Sequence, residues 1–189
     1  MLTKKQIDNK VKDVFKYAKT LVGLKYTLWT GNDREDFHYY DSSKSKSFIK
    51  KHGVACSGFV NLLMHHSGVS LPKSGKLWKH RGGNGFWYNK WKEQKKLKPF
   101  DYTKKYPLVT ILFRKYRDVK DQGHFAVLYS YNKKHPDKIL YGEIIHAYGG
   151  SDGQVGQVWT TILGYSHFWD MVGPKGYYEY VVEPKDWLF

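Results

Sequence analysis

The chain has 189 residues, enough for one domain with its own hydrophobic core and no need of disulfide staples. Its one cysteine excludes an internal disulfide, and no apolar run approaches the ~18 residues that a membrane-spanning helix requires. Lysine and arginine number 32 against 17 acidic residues, a net charge of +15 that would draw the protein to nucleic acid, acidic wall polymers or anionic lipid. The lysines are scattered, however, and form no arginine-rich recognition motif.

In chain order, residues 3–22 predict an amphipathic helix. Ile7, Val11, Val14, Phe15, Ala18, Leu21 and Val22 recur at three- and four-residue spacing, Thr3 with Gln6 forms a capping box, and Gly23 is a stop. This N-terminal stretch is basic and lacks the apolar centre and small-residue cleavage site of a secretory signal. The expectation is therefore a soluble protein without a signal peptide. It would be cytoplasmic or, given a Lys- and Tyr-rich, Arg-poor composition in keeping with an AT-rich viral genome, virion-associated. GLKYTLWTGND at 23–33 reads as a short extended piece ending in a turn, and the polar residues 32–52, with SSKSKS at 42–47, as a loop.

The stretch from Val54 to Pro72, VACSGFVNLLMHHSGVSLP, places Cys56 where a loop turns into an apolar helix, with Gly68 as its stop. A thiol at a helix start faces unpaired N–H groups and the positive end of the helix dipole, which favour the nucleophilic thiolate. A free cysteine is equally well a small buried hydrophobe, and the local residues leave both readings open.

Residues 73–107 read as an irregular segment, with GGNG at 82–85 a turn and FWYNKW at 86–91 a cover over the core or an aromatic wall beside a site. The pattern then changes to strands at 108–113, 124–131, 139–148, 157–163 and 177–184. Helices followed by a strand meander point to an α+β domain with an antiparallel sheet of about five strands, undivided over 1–189. The composition includes 16 Tyr, 10 Phe and 7 Trp, rings that fill a core and can also line a groove.

Two histidines stand out by position. His124 opens a strand after Gly123, and His146 lies near the end of the next one, so a connecting turn can bring them side by side. Cys56 brought to that strand end would find a base in His124, which takes the thiol proton and later protonates the leaving amine. His146 would fix the tautomer and orientation of the His124 ring, and backbone N–H groups at the helix start would hold an oxyanion. The same three residues are also zinc-ligand types, which leaves a metal site as a competing arrangement. The remaining histidines read as surface or loop residues.

GLKYTLWTG, ACSGFVNLLMHHSGVSLP, GHFAVLY and EIIHAYGG resemble, in order, the motifs of the NlpC/P60 superfamily of papain-like cysteine peptidases. The likeness covers most of residues 5–150, leaving 151–189 as C-terminal strands and specificity elements. It implies a papain-like fold with N-terminal helices packed on the sheet, Cys56 as nucleophile, His124 as base and His146 as orienting residue. Tyr26 and Ser57 would contact substrate, and no metal or cofactor is implied. It also implies hydrolysis of an amide bond in peptidoglycan-type peptides with D- or γ-linked residues. The chain departs from the family pattern at Ala55, where an Asp usually precedes the cysteine, and at Ala126, where a Gly usually stands. Competing readings keep the same residues in an acyltransferase or transamidase, or take the chain as an inactive basic module holding nucleic acid or an anionic wall polymer.

Overall fold

The computed structural model describes residues 3–27, 46–71, 83–117, 123–148, 157–163 and 177–188. Helix α1 (Lys4–Thr20) begins at the Thr3–Gln6 capping box and buries Val14 and Ala18. Helix α2 (Lys46–His52) is short, and helix α3 (Cys56–His66) follows it closely. Every residue of α3 from Cys56 to Met64 is buried. A helix apolar on all sides belongs inside a core, and α3 lies between α1 and the sheet. Helix α4 (Asn84–Glu93) lays Trp87 and Trp91 into the same core, with the Trp91 ring edge-on to Phe113 and Phe125.

The remaining elements are β1 (Lys98–Pro99), β2 (Ile111–Arg114), β3 (His124–Ser130), a 3₁₀ turn at Ile139–Tyr141, β4 (Glu143–Tyr148), β5 (Gln157–Ile162), β6 (Tyr180–Val182) and a terminal α5 (Pro184–Trp187). The six strands form one antiparallel sheet in the order β1-β6-β2-β3-β4-β5. From β2 to β5 the strands follow one another as a meander, whereas β6 returns to insert between β1 and β2. Pro99 sits on an edge strand, where its missing N–H costs no ladder bond.

Strand alternation divides the interior. Ile111, Phe113, Phe125, Val127, Ile145 and Ala147 face the helices, in the same core as α3. Leu112, Ala126, Leu128, Ile144 and Val181 build a second core on the other face, closed by Tyr106, Ile139, Tyr177 and Tyr178. Burial on both faces explains why the strands read as continuous apolar runs rather than as alternating ones.

The α+β class and the antiparallel sheet agree with the sequence, with corrections. The sheet has six strands rather than about five. The loop expected over 32–52 ends in α2. The segment 73–107 contains α4 and β1, and Asn84 and Gly85 of the expected turn are its first helical residues. The strand expected to start at 139 starts at Glu143, after a 3₁₀ turn. The loops expected over 32–45 and 73–82, the glycines at 149 and 150, and His38, His80 and His167 lie outside the described residues. Among the described residues no helix is long and apolar enough to cross a membrane.

Candidate active site

A glycine with positive φ sets the approach to Cys56. Gly53 has φ +79°, and a Cβ there would collide with the Lys25 carbonyl. This close approach docks the chain before α3 against residues 25–27. The Val54 N–H donates to Lys25 O at 3.0 Å, the Thr27 N–H donates to Val54 O at 3.1 Å, and Tyr26 and Val54 form a parallel bridge. Ala55 is the N-cap of α3 and supplies no side-chain cap, so the first-turn N–H groups are not taken by a carboxylate.

The Cys56 sulfur lies among donors. The backbone N–H groups of Phe125, Ser57 and Cys56 itself face it, and Asn84 Nδ2 donates to Sγ at 3.9 Å. Ser57 is 3% exposed, so its N–H rather than an open side chain is what it presents here. Cys56 is 9% exposed, and burial pushes its thiol pKa up; the Phe125, Asn84, Ser57 and Cys56 hydrogen bonds pull it down without reversing the balance. The helix start therefore does not produce a resting thiolate, because desolvation outweighs the dipole and the donors.

His124 is placed in the same way as Cys56. Gly123 has φ +70°, and a Cβ would stand 2.7 Å from Lys115 C and from Tyr116 N, in the backbone that leaves β2. Only a glycine lets the two chains cross this closely, which fixes where β3 starts. The β3–β4 ladder ends at Val127↔Ile145, while β2–β3 pairing continues to Arg114↔His124. On β3 the Leu128 N–H donates toward β2, to Thr110 O. By alternation the Phe125 N–H points the other way, into the opening where β3 and β4 separate. The sulfur occupies that opening, one residue from His124 along the strand.

His124 and His146 share the sheet face of Ala126 and Ile144, and their rings meet as a diagonal cross-strand pair. The contact runs from His124 Nε2 to His146 Nδ1 at 2.8 Å. His124 is 4% exposed and His146 fully buried. Burial, the neighbouring His146 and Arg114 hold the His124 imidazole well below the ordinary histidine range. Burial alone lowers His146 to about 4. At rest the Cys56 thiol and the two imidazoles at this end of the sheet are neutral.

Tyrosines surround this group. Tyr26 is pushed up by burial and then by Cys56, Tyr177 and Tyr148, which places its hydroxyl among those groups. The Tyr148 ring stacks on His146 with centroids 5.8 Å apart and meets His124 edge-on at 5.9 Å. Tyr177 and Tyr178 lie 6.0 and 6.3 Å from the His124 ring, and the Arg114 guanidinium sits 4.5 Å over the Tyr177 ring.

The structure thus brings Cys56, Ser57, His124, His146 and Tyr26 to one end of the sheet. Sequence reasoning missed Asn84, Arg114, Tyr148, Tyr177 and Tyr178. Of the other histidines, His65 and His135 are exposed, and His66 pairs with Asp13 at 3.0 Å and stacks on Tyr17. Among the described residues no group of three His, Cys, Asp or Glu side chains is arranged to hold a metal ion.

Two expectations follow from these shifts. Alkylation of Cys56 by iodoacetamide at pH 7 is expected to be slower than that of a free thiol, rising steeply on the alkaline side, because only the thiolate reacts. The rate against pH checks this. Acid should also weaken the fold. His146 binds its proton near pH 6.5 when unfolded and near 4 when folded, so its stabilisation is complete above 6.5 and lost as pH falls toward 4. That window is worth roughly 3 kcal/mol from His146, with His124 adding in the same sense. Urea unfolding of the wild type and of His146→Asn across it should show a steeper pH dependence for the wild type.

No family model, curated protein or solved structure matches the chain.

Proposed function

We propose that the chain is a thiol hydrolase of the NlpC/P60 type, cleaving an amide bond through an acyl-enzyme on Cys56. One observation carries this reading. His124, buried and joined to His146 at 2.8 Å, opens the strand whose next N–H faces the Cys56 sulfur.

The base needs a lone pair directed at the thiol. With Nε2 engaged by His146, that lone pair is on Nδ1 of His124, so Nε2 carries the ring proton and donates it to His146 Nδ1. His146 in turn carries its proton on Nε2. It orients the ring of His124 and supports the imidazolium that forms when the thiol proton arrives. A neutral thiol and a neutral imidazole suit proton transfer concerted with attack on the carbonyl carbon. The collapsing intermediate then expels the amine with the His124 proton, and a water deprotonated by His124 hydrolyses the thioester.

The substrate class in this reading is peptides with D- or γ-linked residues of the peptidoglycan type. Tyr26 lines the site at the position that the likeness assigns to substrate contact, and Ala55 leaves the usual Asp contact unmade. Incubation with a panel of γ-D-glutamyl, D-aminoacyl and ordinary L-peptides, followed by mass analysis, tests both parts. Release of the amine product by the wild type but not by Cys56→Ala supports the reading. No release from any member, with no acyl adduct on Cys56, overturns it. Formation of an acylated amine when a primary amine is added identifies transfer rather than hydrolysis.

A further inference from the structure

We propose that the side-chain amide of Asn84 is a catalytic residue, the side-chain donor of the oxyanion site that serves Cys56. This rests on the acyl-enzyme reading and adds to it a residue that neither the motifs nor the spacing of the chain marks.

Asn84 stands at the first position of α4, as Cys56 does at the first position of α3. The two helix starts therefore converge on one point, and Asn84 is the residue that bridges them, with Nδ2 3.9 Å from Sγ and only 7% of its surface exposed. An asparagine so buried at a helix start carries a desolvation cost that a turn residue on the surface would not.

Its position is fixed by the pair one turn further on. Trp87 Nε1–H donates to Asn61 Oδ1 at 2.7 Å, with Trp87 1% exposed and Asn61 fully buried. Asn84 and Trp87 are three residues apart on α4 and share a face. The Asn61–Trp87 hydrogen bond thus pins α4 to α3 in the register that holds Asn84 against Cys56. A donor held in this way needs no reorganisation when charge develops beside it.

The chemistry follows from where that charge goes. The sulfur forms a bond to the carbonyl carbon, the thiol proton passes to His124, and the carbonyl π pair moves onto oxygen. That oxygen is bonded to the carbon attached to Sγ and so lies among the donors that now face the sulfur: Asn84 Nδ2 and the N–H groups of Cys56, Ser57 and Phe125. When the intermediate collapses, the pair returns to the carbonyl, the C–N bond breaks and the amine leaves with the His124 proton. The Asn84 amide donates throughout and neither gains nor loses a proton.

The test compares two reactions of the same sulfur. Acylation by p-nitrophenyl acetate passes through an oxyanion, whereas alkylation by iodoacetamide displaces iodide at a saturated carbon and forms none. Asn84→Ala and the near-isosteric Asn84→Asp are measured beside the wild type, with thermal unfolding to verify the fold. Asn84→Ala should lower the acylation rate roughly 100-fold or more, whereas alkylation should fall far less, only by the thiolate lost with the Asn84 hydrogen bond. Asn84→Asp should lose acylation at least as severely, since a carboxylate opposes the oxyanion. Equal losses in both reactions would make Asn84 a positioning residue for the thiol, and unchanged acylation would remove it from the chemistry; either overturns the proposal alone. A wild type acylated no faster at Cys56 than the background seen in Cys56→Ala would overturn the acyl-enzyme reading, and Asn84 with it. Should Asn84→Ala fail to fold, the ratio of the two rates in Asn84→Asp decides.

Discussion

Cys56→Ala is expected to abolish amide hydrolysis while leaving thermal unfolding close to that of the wild type. The side chain is small and 9% exposed, so removing one sulfur leaves little cavity; the hydrogen bonds it gives up are weak ones to sulfur. His124→Ala should fall nearly as far, by roughly 10²–10⁴-fold, the range that a positioned acid–base group contributes. His146→Asn should keep part of the rate, since an amide oxygen can accept the Nε2–H of His124 that the proposed tautomer directs at His146 Nδ1. Rates with the best peptide of the panel, read beside the melting temperatures, separate loss of chemistry from loss of fold. Turnover by Cys56→Ala equal to that of the wild type would end the hydrolase reading.

Gly123→Ala should be among the most damaging changes outside the reacting groups. A methyl there meets the backbone at Lys115 and Tyr116 and forces a side chain into φ +70°. Left-handed backbone alone costs a non-glycine residue about 1–2 kcal/mol, and the overlap adds to it because backbone cannot swing aside. The start of β3 must move, carrying with it both His124 and the Phe125 N–H. A misplacement of about 1 Å is enough to cost ~100-fold in rate. Gly68→Ala is the control, for it has φ +86° with nothing within 4 Å of the added carbon. It should show the conformational cost without the loss of rate. Equal effects of the two substitutions would mean that the crossing at Gly123 does not position the site.

The readable part of this molecule is the part dictated locally. The periodicity of α1 and its Thr3–Gln6 box, the apolar run of α3, and the glycine before His124 all act over a few residues, and the structure has them where the chain places them. Helix α4 escaped for a physical reason. NGFWYNKWKE buries only Asn84, Trp87 and Trp91, one of them polar, and its start lies inside a glycine-rich stretch that mimics a turn. The insertion of β6 between β1 and β2 depends on pairing between residues far apart in the chain, which no local pattern encodes.

The site divides in the same way. Cys56, His124 and His146 could be singled out because Cys56 opens an apolar helix and the two histidines lie toward the ends of consecutive strands of a meander. Tyr177, Tyr178 and Arg114 could not, since they reach the imidazoles through the folded sheet. The charge state of the thiol was left open because the helix dipole is visible in a sequence and the desolvation that raises the thiol pKa is not.

The central claim is that His124 is held by His146 through Nε2 with its Nδ1 left as a base for the thiol. Long-range ¹H–¹⁵N correlation spectra of histidine-labelled protein at neutral pH test it directly. The account predicts neutral rings, a proton on Nε2 of His124, and an Nδ1 of His146 shifted as a hydrogen-bond acceptor. A proton on Nδ1 of His124, or a His146 Nδ1 carrying its own proton, would contradict it.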